Sequence, residues 1–130
     1  MDTFYEEDIL GEGFQRTTLS LRDDYEGSAV ATLVRRLSDT GNGRSVLYIH
    51  GFNDYFFQRE MACRLNERSF HFYALDLRKY GRSWLSHQKF NDIRDIRVYF
   101  EEITLALQMI REEGSRTTVL LGHSTGGLIV

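Results

Sequence analysis

The chain has 130 residues, 42% of them hydrophobic and 27% charged, which is enough apolar content for one buried core. Its net charge is −3 and no basic cluster is dense enough to follow a phosphate backbone, which argues against a nucleic-acid partner. An acidic start, no apolar run near the ~20 residues of a bilayer span and a single cysteine together read as a cytoplasmic chain with no transmembrane segment.

Apolar periodicity alternates between two and 3.6 residues in a clear order. Residues 17–22 read as a strand, 23–27 as a turn and 28–37 as its antiparallel partner. A Ser-Asp-Thr-Gly-Asn-Gly turn at 38–43 leads into residues 45–49, an apolar run of the type found in buried parallel strands. Residues 55–68 predict a helix with Phe57, Met61 and Leu65 on one face, and 70–75 a second buried strand. From 93 to 112 the apolar residues Ile93, Ile96, Phe100, Ile103, Leu107 and Ile110 step by three and four, one stripe of a helix. Asp92 is its expected N-cap and Gly114 its stop. A hairpin followed by strand-helix-strand-helix-strand implies a mostly parallel sheet covered by helices on both faces, one folding unit without repeats or linkers.

The most informative segment is Gly122-His123-Ser124-Thr125-Gly126, between the apolar run 118–121 and a helix start at Gly127-Leu128-Ile129. A serine hydroxyl is a weak nucleophile unless it stands proud of the backbone where a base can reach it. A sharp strand-to-helix turn does this by forcing the serine to positive φ, and glycines two positions either side make room for it. A phosphate-binding loop is the rival reading of the same glycines. It fails because Leu128 and Ile129 occupy the positions that need lysine and a hydroxyl.

His50-Gly51-Phe52-Asn53-Asp54-Tyr55 directly follows the strand ending at Ile49. Alone, it also fits an ordinary strand-to-helix loop with Asp54 as N-cap. Beside a nucleophile elbow it reads as an oxyanion loop, with the amides of Phe52 and Thr125 as the pair of donors. None of the four histidines suits a general base, and no pair has the helical spacing of a zinc site. His50 is expected to hold its loop by hydrogen bonding, and His123 to point away from the serine hydroxyl. Cys63 reads as a small packed residue. The acidic pairs Glu101-Glu102 and Glu112-Glu113 read as solvated helix surface. Most of the group Phe52, Tyr55, Phe56 and Phe57 is expected in the core, with a ring near Phe52 left to line an apolar acyl pocket.

Three ordered segments, 50–55, Asp76-Leu77-Arg78-Lys79-Tyr80-Gly81-Arg82-Ser83 and 122–127, resemble the α/β-hydrolase fold from about residue 28 onward. Within it they most resemble the monoglyceride-lipase, lysophospholipase and serine-aminopeptidase-like group. The resemblance implies Ser124 as nucleophile, Phe52 and Thr125 as oxyanion donors, a scaffold role for 76–83, and a small, apolar acyl substrate. Lys79 and Tyr80 stand where that group usually has glycine and histidine. It implies a serine hydrolase of esters, thioesters or small amides that needs no metal or organic cofactor. It also implies a triad acid and histidine after the serine, whereas residues 125–130 contain no Asp, Glu or His. The expectation is therefore that residues 1–130 are the N-terminal half of one hydrolase domain. The alternative is a catalytically incomplete copy, inactive or completed by a second chain.

Overall fold

The computed structural model describes residues 4–52 and 54–130; Met1–Thr3 and Asn53, which falls within the motif at 50–55, lie outside the described residues. In chain order the elements are β1 (Glu6–Glu7), β2 (Gln15–Ser20), β3 (Val30–Arg36), β4 (Arg44–Ile49), α1 (Arg59–Glu67), β5 (His71–Asp76), α2 (Phe100–Glu112), β6 (Thr117–Gly122) and α3 (Thr125–Ile129). The strands form one sheet in the order β1-β2-β3-β5-β4-β6. β2 and β3 make the expected antiparallel hairpin, while β4 lies parallel to both β5 and β6. The result is a mixed sheet whose three site-bearing strands are parallel.

From β4 the chain moves to β5 on one side, then crosses to β6 on the other. Right-handed crossovers in opposite directions put their helices on opposite faces. Accordingly, α1 covers a core of Phe14, Val34, Val46, Tyr48, Phe56, Ala62, Phe72 and Ala74. On the other face α2 and α3 cover Leu33, Leu47, Ile49, Tyr73 and Leu75 with Ile103, Ala106, Ile110 and Ile129. β6 ends the sheet, and Val119, Leu120 and Leu121 are part-exposed there.

Two helices begin later than periodicity predicts. α1 starts at Arg59 and not near Tyr55, because the Phe56 amide donates to Asp76 Oδ1 at 2.8 Å and so leaves the helical path. Phe57 thus precedes the helix and is exposed. The segment expected as one helix over 93–112 is a 3₁₀ turn at Ile96–Tyr99 followed by α2. Asp95 caps it by accepting from the Arg97 amide, whereas Asp92 instead accepts from the Tyr25 hydroxyl. A 3₁₀ turn winds tighter than 3.6 residues, so the stripe rotates. Tyr99 enters the core, and Phe100 is 54% exposed.

The acidic pairs also differ from expectation. Glu102 is fully buried and accepts from both the Arg78 amide and its guanidinium, at 2.8–3.2 Å. Glu113 accepts from the Tyr5 and Tyr73 hydroxyls, each at 2.6 Å, and pairs with Arg35 at 2.8 Å. Local sequence cannot show this, because the partners lie on other elements. Removing one partner of a buried pair strands the other charge, at a cost of about 3–5 kcal/mol. Glu102→Ala should lose that much in urea unfolding, whereas Glu112→Ala, on exposed surface, should stay within about 0.5 kcal/mol. Equal effects would mean that the Arg78 pair does not anchor α2.

Candidate active site

The loops leaving β4 and β6 meet at the carboxyl ends of these two parallel strands. This is the place where open α/β sheets bind ligands. Ser124 sits there, between β6 and α3, at φ +55° and ψ −116°. Such a conformation costs a non-glycine residue of order 1–3 kcal/mol and persists only where its surroundings enforce it.

The surroundings are visible. The His123 amide donates to the Ile49 carbonyl at 3.0 Å, which extends the β4–β6 ladder into the turn. The Gly126 amide then returns to the His123 carbonyl at 2.9 Å. A Cβ at Gly126 would collide with the Ile49 carbonyl oxygen and lie 2.7 Å from that of His50. One at Gly122 would lie 2.5 Å from the backbone of Gly126. Both glycines of the motif are therefore required by close backbone approach. One at Gly51 would sit 3.2 Å from Ser124 Cβ, so the loop after β4 lies against the serine.

That loop is held from two directions. His50 is buried; its Nε2 accepts from the Leu77 amide at 3.1 Å, and its Nδ1 lies 2.8 Å from the Gly51 carbonyl. An accepting Nε2 assigns the proton to Nδ1, which donates to Gly51. With both nitrogens occupied, His50 is a structural imidazole, and burial holds its pKa below the usual value. Asp76, fully buried at the end of β5, accepts from the Phe56 and Arg82 amides and from the Arg82 guanidinium. Arg82 also donates to the Phe56 carbonyl and grips Asp8 through two nitrogens at 2.7 and 2.8 Å. Burial pushes the Asp8 carboxyl up, but these bonds outweigh it and hold Asp8 below its ordinary range.

Phe52 follows Gly51 in the chain, and Thr125 is the first residue of α3. The aromatic group is mostly not core. Only Phe56 is buried; Phe52 is 66% exposed, and Tyr55 and Phe57 form an exposed ring pair with centroids 5.4 Å apart. The reason is again Asp76, whose bond to the Phe56 amide turns that one ring inward and its neighbours out. His71 accepts from the Ser38 amide and His87 bonds the Ser28 carbonyl. Two clefts of about 630 and 730 Å³ lie elsewhere, one between Asp24 and Phe100 and one between Phe57 and Leu121; Ser124 lines neither. Among the described residues no group of three His, Cys, Asp or Glu could hold a metal, and no helix is long and apolar enough to cross a membrane. Arg82 falls within 76–83, the segment expected to support the scaffold, whereas nothing in the sequence points to its partner Asp8. Arg82 and Asp8 are 74 positions apart, so no local pattern marks the pair.

Residues 42–130 match the family described as serine aminopeptidase, S33. The chain belongs to this α/β-hydrolase family. A highly thermostable carboxyl esterase from Bacillus coagulans shares the fold at TM-score 0.70 and 19% identity, over 88% of this chain and 38% of the esterase. A lipase in its open form does so at 0.66 and 19%, again over 88% and 38%. Epoxide hydrolase A from Mycobacterium thermoresistibile does so at 0.60 and 22%, over 88% and 33%. The hydrolase fold seen here therefore spans well under half the length of these structures. No curated protein matches the chain by sequence.

Two measurements probe the site's framework. Gly126→Ala forces a methyl into the β4 carbonyls and should cost at least the ~1–3 kcal/mol of core overpacking. Gly127→Ala, whose nearest atom would be a carbonyl at 3.8 Å, should be neutral or stabilising. Equal losses in thermal unfolding would remove the close approach as the reason for the glycine. Second, a His50 pKa lowered by burial means that the unfolded chain binds more protons than the folded one between that lowered value and about 6.5. Stability should therefore rise with pH across this window, and the slope should shrink in His50→Gln. An unchanged slope would mean that His50 is not the group responsible.

Proposed function

We propose that this chain supplies the nucleophile and oxyanion hole of a serine hydrolase acting on esters, thioesters or small amides, of the lysophospholipase and monoacylglycerol-lipase kind. The single observation that carries the reading is Ser124, at positive φ between a parallel strand and a helix, with Gly51 packed against it. Family membership and the fold shared with a carboxyl esterase and a lipase support it.

In the proposed reaction Ser124 Oγ attacks the substrate carbonyl carbon while its proton passes to a histidine base. The oxyanion so formed takes hydrogen bonds from the Phe52 and Thr125 amides, each worth on the order of 10²–10³ in rate. Collapse expels the leaving group, which receives the proton, and leaves an acyl ester on Ser124. Water, deprotonated by the same base, then hydrolyses that ester. The base and its orienting acid are assigned to polypeptide outside residues 1–130, because His50 is locked and 125–130 contain no candidate. The chemistry needs no metal or cofactor. The exposed Phe52 ring, in the loop that packs against the serine, suits an apolar acyl group, and a single free cysteine suits a cytoplasmic setting.

Activity-based labelling tests the assignment. A fluorophosphonate probe should label Ser124 when the histidine-bearing portion is present, and Ser124→Ala should abolish the signal. Residues 1–130 alone should label weakly, since an unactivated hydroxyl is a poor nucleophile. Full labelling of the alanine variant would place the nucleophile elsewhere.

A further inference from the structure

Lys79 has no exposed surface and holds φ at +65°. Its ammonium lies 2.7 Å from Asp24 Oδ2 and 2.6 Å from Glu26 Oε1, and donates to the Asp92 carbonyl at 2.7 Å. The Tyr25 ring closes the fourth side, its centre 4.4 Å away. One hydrogen bond to the Asp92 carbonyl and two close ion pairs, to Asp24 and Glu26, fasten the turn between β2 and β3 to the loop after β5. The next residue, Tyr80, is buried, and its ring packs 4.6 Å from that of His50. His50 in turn bonds the Leu77 amide and the Gly51 carbonyl.

The last contact has a consequence for the amide of Phe52. The Gly51 carbonyl and the Phe52 N–H belong to one planar trans peptide, so they point in opposite directions. Fixing the carbonyl on His50 fixes the direction of the N–H. A rotated peptide would present a carbonyl, not a donor, to a developing oxyanion.

We propose that Lys79 and Tyr80 are positioning residues: clamped by Asp24 and Glu26, they hold the His50 ring so that the Gly51–Phe52 peptide keeps its donor aimed at the space beside Ser124. The role rests on the reading of this loop as the oxyanion loop. The hairpin turn at 23–27, remote in sequence, thereby becomes part of the apparatus that orients the site.

Magnetic resonance of the folded chain tests this without using Ser124 reactivity. In the unaltered protein the His50 Nδ1 proton should be observable and the Leu77 amide protected from exchange. Tyr80→Leu removes the ring against His50; it should erase the Nδ1 signal and speed Leu77 exchange by about tenfold or more, with Leu47 and Tyr48 in β4 unchanged. Tyr80→Phe, which keeps the ring, should restore both. Asp24→Asn combined with Glu26→Gln should move both readouts the same way by a smaller factor. Unchanged His50 and Leu77 signals in Tyr80→Leu, or equal loosening of Leu47 and Tyr48, would overturn the proposal. If Tyr80→Leu does not fold, an unaltered Leu77 in the Asp24/Glu26 variant would do so. Failure of Ser124 labelling would instead remove the catalytic reading and leave these contacts standing.

Discussion

The close crossing of the turn after β6 over the end of β4 is the constraint on which the rest of the site depends. Backbone meets backbone there, with the Ile49 and His50 carbonyls where a side chain on residue 126 would have to go. The His123 amide continues the sheet ladder to Ile49, so the strand cannot drift before it turns. Between that anchor and Ile129, buried in the core, the chain has only a few residues in which to reverse. Ser124 absorbs the reversal by taking a positive φ. Its exposure at the rim and its proximity to Gly51 are both products of this crossing.

Around the crossing, the loop after β5 collects buried cations. Arg78 reaches α2 through Glu102, Lys79 reaches the hairpin turn through Asp24 and Glu26, and Arg82 reaches the N-terminal segment through Asp8. Buried ion pairs often contribute little net stability over apolar packing, because desolvation opposes the attraction. Their value here is directional. Each guanidinium or ammonium accepts only a few arrangements of partners, so three segments distant in sequence are set in one geometry. Asp76 completes the arrangement by holding Arg82 on one side and the Phe56 amide on the other.

The two faces of the sheet divide the work. The α1 face carries the loop bearing Gly51 and Phe52, and the α2–α3 face receives Ile129 and steadies the helix that follows Ser124. Opposite crossovers bring Ser124 and the loop after β4 together at the carboxyl ends of neighbouring strands, without either being close to the other in sequence.

The sequence by itself determined the alternation of elements and the strained turn at Ser124. Periodicity marks β4, β5 and β6, and the two glycines around Ser124 announce a turn that admits no side chain on either side. These signals are local: an apolar period or a glycine acts within a few residues of itself. Tertiary structure alone decided which carboxylates are buried. Glu102 and Glu112 look alike in sequence, yet only Glu102 meets a buried guanidinium supplied from another element. It also decided that Phe56 turns inward while Tyr55 and Phe57 face solvent, because the acceptor for the Phe56 amide lies 20 residues away on Asp76. The start of α2 followed the same rule, with Asp92 drawn away to Tyr25 and Asp95 left to cap the turn. Long-range partners compete with local preference, and where a buried charge or an unpaired amide is at stake the partner wins.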